Sequence, residues 1–359
     1  MEGPRDEAGR MPVAVLGATG SVGQRFVSLL ENHPWFTLAH VCASQRSAGR
    51  AYGDVVPWAL PGPVPSGARE LRVQPCEPEQ LAAGGAGAVR LVFSALDSAV
   101  AGPIESAFAD AGHLVVTNAS PHRMASDVPL IVPEVNPGHL DLLQGHGAGG
   151  AILANPNCST IGLALALKPL DDAFGVRRCH VSTLQALSGA GLPGVPASAI
   201  ADNVLPFIRG EEDKLETEPR KILGRLENER FVEHAIELSA QCTRVAVSDG
   251  HTELVSVELE RRATRDELIE VWNSFRAEPQ EHRLPSAPER PTLYLDDEQA
   301  PQPSLHRDLE EGMACSIGRL RPCPLFDWKF VALSHNTLRG AAGGALLVAE
   351  LAKARGLLD

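Results

Sequence analysis

A chain of 359 residues is long enough for two domains with substantial cores, and 44% hydrophobic with 21% charged residues is ordinary for a water-soluble fold. The formal net charge of -13 argues against nucleic acid as a partner, while isolated basic residues could still hold a small anion. No apolar run approaches a membrane span, and seven cysteines without CxxC spacing argue against a disulfide scaffold and a structural metal such as zinc. A reducing, cytoplasmic setting follows, and the polar stretch 1–10 reads as a disordered tail.

Pro12 to Leu16 reads as a strand, followed by Gly17-Ala18-Thr19-Gly20-Ser21-Val22-Gly23 and an apolar-periodic helix, Gln24 to Leu30. A GxxGxxG turn between strand and helix lets the backbone approach a pyrophosphate at the helix N-terminus. A glycine pattern alone is a weak signal, but here strand, turn and helix come in the right order. The second strand, Thr37 to Cys42, ends in Ala43-Ser44-Gln45-Arg46-Ser47-Ala48-Gly49-Arg50. Hydroxyls of Ser44 and Ser47 beside Arg46, without a carboxylate, suit a 2′-phosphate, so NADP(H) is the expected cofactor. Further strands at Leu91 to Leu96 and Leu114 to Thr117, with a helix from Ala99 to Ala111 between them, indicate an α/β, doubly wound parallel sheet. Arg123 follows the last of these strands, at the end where open sheets bind ligands.

Ala151 to Ala154 leads into Asn155-Pro156-Asn157-Cys158-Ser159-Thr160, with a helical run from Ile161 to Leu170. Cys158 thus sits in a strand-to-helix turn, where free N–H groups and the helix dipole favour a thiolate. A lone cysteine is more often a small core residue, so its partners matter. The strand Arg178 to Leu184 ends in Gln185-Ala186-Leu187-Ser188-Gly189-Ala190-Gly191, whose small residues permit close approach to a ligand. Gly210 to Glu218 is an acidic run around Lys214, usually a solvated helix face. Cys242 to Glu253 predicts a hairpin-like pattern with Arg244 and His251 on one sheet edge. Thr264 to Glu267 has capping-box spacing before a helix with Leu268, Val271, Trp272 and Phe275 on one face. Arg283 to Ser304 reads as loop or linker, Cys315 to Arg321 and Trp328 to Leu333 as strands, and an alanine-rich helix closes the chain from Ala341 to Lys353.

Taken together, GATGSVG, PNCST, QALSGAG, EEDK, RVAVSDGH and SHNTLRGAAGG resemble, in this order, the aspartate-semialdehyde dehydrogenase family over roughly residues 11 to 358. Ser-Gln-Arg-Ser-Ala-Gly after the second strand is most similar to the archaeal and fungal branch. The resemblance implies a Rossmann-type NADP-binding domain (11–157, completed by 335–359) and an α+β catalytic and dimerisation domain (158–334), in a homodimer or homotetramer. It implies Cys158 as nucleophile, His251 as general acid/base, and Arg244 as the clamp for an α-carboxylate. Glu211 would face an α-amino group, Arg123 and Lys214 would hold phosphate, and Asn157 and Gln185 would orient nucleophile and substrate. Ser188, Gly189, Gly191 and Asn336 would lie along the cofactor. The implied reaction is NADPH-dependent conversion of L-4-aspartyl phosphate to L-aspartate 4-semialdehyde and phosphate. A malonyl-CoA reductase with the same cysteine chemistry, an N-acetylglutamyl-phosphate reductase and a dinucleotide sensor are the rival readings. The stretch Glu218-Pro219-Arg220-Lys221 departs from the family's expected Glu-Thr-Asn-Lys.

Overall fold

The computed structural model describes residues 6, 9–81, 89–144 and 149–358, so the reading of 1–10 as a tail falls largely outside it. The chain forms two compact units. The first holds the residues up to Ile131, Leu140–Asn155 and those from Ala345 onward; the second holds Val132–His139 and Pro156–Gly344.

In the first unit, β1 (Met11–Leu16), β2 (Phe36–Cys42), β3 (Leu91–Ser94), β4 (Leu114–Thr117) and β5 (Ala151–Ala154) form a parallel sheet in the order β2-β1-β3-β4-β5. β1, β3 and β4 are buried throughout, as strands covered on both faces are. α1 (Ser21–Leu30) follows β1 and α2 (Ser98–Asp110) follows β3. Phe26 of α1 stacks on Phe93 of β3 at 4.8 Å, and Phe36 of β2 meets the same ring edge-on, which fixes α1 on the sheet. The chain steps from β1 out to β2 and back to β3. Open sheets bind ligands at such a switch point, beyond the strands' carboxyl ends. Gly17 leaves β1 there with φ 71°, and a Cβ on it would lie 2.5 Å from the carbonyl oxygen of Ala95, just past β3. Only glycine meets both demands.

The second unit has a mixed sheet built from β6 (Val176–Gln185), β9 (Glu237–Arg244), β10 (His251–Leu259), β11 (Thr292–Leu295), β12 (Cys315–Pro322) and β13 (Trp328–Ser334). Its order is β11-β12-β13-β10-β6-β9. A separate hairpin, β7 (Arg225–Glu227) and β8 (Arg230–Val232), turns on Asn228 and Glu229, both at positive φ. α3 (Cys158–Phe174) lies against β6, β10, β12 and β13, α4 (Glu211–Ile222) along β9, and α5 (Arg265–Ser274) on β11. In β6, Cys179, Val181, Thr183 and Gln185 are buried, while the alternate residues are more exposed. Such alternation marks a sheet packed on one face only. The capping box expected at Thr264 and Glu267 opens α5, where Trp272 is fully buried and donates to the Ala166 carbonyl of α3 at 2.8 Å. α6 (Gly343–Ala354) closes the chain and runs from the second unit into the first.

Two expectations need correction. Arg244 and His251 do not sit on a hairpin, because β9 and β10 never pair: β6 lies between them, parallel to β9 and antiparallel to β10. Residues 245–250 instead cross the end of β6, held by Val245 N–H on the Gln185 carbonyl and Leu187 N–H on the Val247 carbonyl. The 283–304 stretch is not all loop, since Thr292–Leu295 adds an edge strand parallel to β12. Its four residues are framed by proline and acidic residues, which hid the period. Val132–His139 stays with the second unit because Glu134 pairs with Arg339 and His139 contacts Gly224 and Phe231. Among the described residues no helix is long and apolar enough to cross a membrane.

Candidate active site

The register of the second unit's sheet sets out a row of side chains. Arg244, ending β9, pairs with Gln185, ending β6, and His251, opening β10, pairs with Ser334 of β13. Thr252 opposes Leu184, so Gln185 and His251 lie level on adjacent strands. The seven residues from Arg244 to His251 thus step over one strand, two gaps of about 4.8 Å.

α3 begins directly above this row. Asn157 is its N-cap, with Oδ1 accepting from the N–H groups of Ser159 (3.0 Å) and Thr160 (3.2 Å). Cys158 is the first helical residue, at the positive end of the dipole. α4 fixes Asn157 from two sides. Its Nδ2 donates to both oxygens of Glu211 at 3.1 and 2.9 Å, and its backbone N–H donates to Glu218 Oε2 at 2.7 Å. Glu211 and Glu218 stand two helical turns apart, hence on one face of α4.

Cys158 Sγ lies 3.2 Å from His251 Nε2. The other ring nitrogen, Nδ1, accepts the backbone N–H of Ala186 at 3.0 Å. An accepting Nδ1 carries no proton, so the neutral ring holds its hydrogen on Nε2 and donates toward sulfur. Burial, and then the Arg244 charge, pull His251 down to about 3, so the resting imidazole is uncharged near neutrality. Ala186 also receives Arg244, whose Nη1 donates to its carbonyl at 2.7 Å. The backbone of one residue thus orients both side chains. Gly189 covers them: a Cβ there would lie 2.8 Å from Arg244 Nη1 and 3.1 Å from His251 Nε2.

Glu211 is buried, yet its carboxyl is held below its ordinary value. Burial pushes it up, but the Lys214 charge and hydrogen bonds from Lys214 (2.7 Å), Asn157 and Gln185 (3.2 Å) together outweigh that. An ionised carboxylate and a guanidinium thus stand in one half-buried site beside a thiol. Elsewhere, burial pushes the thiols of Cys42, Cys179 and Cys315 up, and that of Cys242 to about 11, which leaves them inert.

Residues 12–143 match the family model described as semialdehyde dehydrogenase, NAD binding domain, and 167–339 the semialdehyde dehydrogenase, dimerisation domain. The aspartate-semialdehyde dehydrogenase of Archaeoglobus fulgidus is 47% identical over 347 residues, covering 95% of this chain and 98% of its own. That of Saccharomyces cerevisiae is 43% identical over 369 residues, covering 98% and 100%. The chain belongs to the aspartate-semialdehyde dehydrogenase family. The crystal structure of the Candida albicans family member with NADP matches with a TM-score of 0.89 at 41% identity, covering 97% of this chain and 99% of that one.

Within the second unit, the structure brings together Asn157, Cys158, Gln185, Ser188, Gly189, Glu211, Lys214, Arg244, His251 and Asn336. Asn336 accepts the Gly250 N–H at 2.9 Å and donates to Ser188 Oγ at 2.8 Å. Gly191, with φ 67°, ends the short turn that Ser188 opens. In the first unit, Gly17, Thr19 and Gly20 form the turn from β1, Ser21, Val22 and Gly23 open α1, and Ser44, Arg46 and Ser47 follow β2. Arg123 is buried in that unit, its Nη2 donating to the Asn118 carbonyl at 2.6 Å.

Some residues that build these sites gave little signal. Glu218 opens the stretch that departs from the family pattern at Pro219 and Arg220 and was given no role, although its two-turn spacing from Glu211 is readable. Ala186 acts through its backbone, which no residue type reveals. Tyr52 and Gln24 secure the glycine turn, donating to the carbonyls of Ala18 (2.8 Å) and Thr19 (3.0 Å). A glutamine on the buried face of α1 was the available sign.

Proposed function

We propose that this chain reduces L-4-aspartyl phosphate to L-aspartate 4-semialdehyde with NADPH, reversibly, through a thioester on Cys158. In that role it serves lysine, threonine, methionine and isoleucine biosynthesis. The observation that supports this most is the 3.2 Å contact between Cys158 Sγ and His251 Nε2 at the start of α3, level with Arg244 and Glu211. The thiolate attacks the acyl carbon, the carbon–oxygen bond to phosphate breaks, and phosphate leaves with Arg123 and Lys214 as its assigned cations. NADPH, when bound, supplies the hydride that reduces the thioester. His251 Nε2–H donates to the oxygen that gains charge, as an oxyanion donor does. On collapse the carbon–sulfur bond breaks, its electrons return to Cys158, and the aldehyde departs. The one proton consumed overall ends on phosphate.

Arg244 offers a fork suited to the α-carboxylate, and ionised Glu211 suits the α-ammonium, with Gln185 and Asn157 holding both in place. A malonyl group has no ammonium to meet Glu211, so the coenzyme A alternative is not favoured. The glycine turn fits a dinucleotide: Gly20 leaves α1 without a side-chain cap, and a Cβ on Gly23 would fall 2.2 Å from the Gly17 carbonyl oxygen. Ser44, Arg46 and Ser47 support the 2′-phosphate of NADP, with Ser188, Gly189, Gly191 and Asn336 assigned to the same cofactor. We assign dinucleotide binding to the first unit, catalysis and dimerisation to the second, a homodimer or homotetramer as the assembly, and the cytoplasm as its place.

The test follows nicotinamide reduction with NADP, phosphate and L-aspartate semialdehyde, and in parallel with malonate semialdehyde and coenzyme A. Phosphate-dependent reduction with the first pair is expected, falling on the order of 10⁴-fold or more in Cys158→Ala. Activity with the second pair alone would overturn the substrate, and retained turnover in Cys158→Ala the nucleophile.

A further inference from the structure

The stretch Ser334–Gly340 reaches several parts of the Cys158 site. Ser334 pairs with His251 in the sheet, and Asn336 ties the Gly250 N–H to Ser188 Oγ. Gly340 lies against the nucleophile: a Cβ on it would come within 2.7 Å of Cys158 Cβ and 3.0 Å of its Cα. The backbone here is wound as a π turn, Leu338–Ala342, with Gly340 N–H on the His335 carbonyl (3.0 Å) and Ala342 N–H on that of Thr337 (3.2 Å). A π turn widens the helix by one residue, and it is the widened register that delivers Gly340 to Cys158.

Something must hold a turn that an ordinary α-helix would outcompete. His335 Nδ1 accepts from the N–H groups of Thr337 (3.3 Å) and Leu338 (3.4 Å), which starts it. The next contact is unusual. Arg339, fully buried, forks onto Glu134, Nη1 to Oε1 at 2.8 Å and Nη2 to Oε2 at 2.5 Å, and neither side chain has any exposure. Burying two charges is a poor route to stability, because desolvation offsets their attraction and an apolar pair often does as well. What a fork supplies that an apolar contact cannot is direction. Arg339 directly precedes Gly340, so fixing its guanidinium fixes the rotation of the turn beneath the sulfur.

We propose that Glu134 and Arg339 are positioning residues, which set the register of the π turn and thereby hold Cys158 Sγ against His251 Nε2. This rests on Cys158 being the nucleophile of the proposed function.

The test compares Arg339→Lys, Glu134→Gln and the apolar double variant Glu134→Leu/Arg339→Met in the full-length enzyme. It reads melting temperature, kcat, KM and the pH midpoint of Cys158 alkylation by iodoacetamide, followed by mass spectrometry of the Cys158 peptide. The double variant is expected to melt close to wild type while kcat falls about 10- to 100-fold, the scale of a small misplacement. Its KM should change little, and its alkylation midpoint should move to higher pH as the Nε2–Sγ bond loosens. Arg339→Lys, which keeps the charge but not the fork, should move both readouts the same way. Wild-type kcat and alkylation midpoint in either folded variant would overturn the proposal. Should none of the variants fold, the pair is a stability element and the positioning claim falls. Alkylation reads the sulfur whatever the acyl donor, so a wrong substrate assignment would show in the turnover assay and leave this midpoint untouched.

Discussion

Under the proposed function two strand-to-helix turns carry the chemistry, and they treat their helix N-termini in opposite ways. The turn from β1 into α1 leaves the N-terminus bare: Gly20 offers no side-chain cap, and Gly17 and Gly23 have no side chain to obstruct an approaching anion. The turn from β5 into α3 fills it. Asn157 takes two N–H groups itself and is held in turn by Glu211 and Glu218. With those donors satisfied, the dipole remains to favour a thiolate on Cys158. Under the proposed function, the same feature of a helix serves a ligand in one turn and a nucleophile in the other.

The largest break in this comparison should come from His251→Gln, which keeps a side chain of similar reach but no imidazole. kcat is expected to fall about 10²- to 10⁴-fold with the circular dichroism spectrum unchanged. Arg244→Lys should come next. An ammonium cannot reproduce the fork, so kcat/KM for the semialdehyde should fall roughly 100-fold, with KM for NADP moving far less. Gly20→Asp would convert the bare turn toward the filled one. Its φ is -75° and a Cβ would meet only the Gly17 carbonyl oxygen at 3.4 Å, so the backbone accepts it. A capping carboxylate should hold or raise the melting temperature while raising KM for NADP about tenfold or more, since it occupies and repels where phosphate would sit. A fall in stability with unchanged KM would break the contrast.

The two turns also differ in how much the sequence discloses. Everything in the glycine turn lies within a few residues, so its strand, glycines and helix could be read in order. Cys158, by contrast, gains its partners from β6, β9, β10 and α4, and sheet order cannot be read from local pattern. Arg244 and His251 take their roles from the family resemblance, and the hairpin that the local pattern predicts for them does not form, because a third strand lies between them. Glu211 and Glu212 are neighbours in one acidic run, yet they diverge in the fold: Glu212 turns to the Cys242 N–H at 3.0 Å. Backbone contributions, such as Ala186, leave no trace in residue type. Edge strand β11 escaped for a different reason, being too short to show a period.

One row beneath His251 on the same face of β10 stands Glu253, a second buried carboxyl whose shift runs opposite to that of Glu211. It pairs with Thr183 and Ala332 in the sheet, is 1% exposed, and neither carboxyl oxygen has a hydrogen-bond partner among the described residues. Gly162, one turn after Cys158, packs beside it: a Cβ there would lie 2.6 Å from Ser334 Oγ and 3.5 Å from Glu253 Oε1. Burial alone raises this carboxyl well above its ordinary 4.5, with no cation to draw it down as Lys214 draws Glu211. The folded protein therefore holds a proton at Glu253 that the unfolded chain releases above about pH 4.5. The sign follows: the native state binds more protons, so the contribution is fully present below the unfolded value and is lost as pH rises toward the folded one. Glu253→Gln removes that slope and leaves a neutral group of the same shape. Relative to wild type, the variant should gain stability with rising pH, by about 1.4 kcal/mol per unit within the window. Urea unfolding of both proteins at pH 6, 7 and 8 measures it, and the His251 contribution, common to both, cancels in the difference. Activity near neutrality should stay within about twofold, since Gln keeps the size and shape of the protonated acid and Glu253 has no assigned part in the reaction. A flat difference across pH would mean that Glu253 is ionised in the fold, and then the second row, like the first, must contain a positive partner.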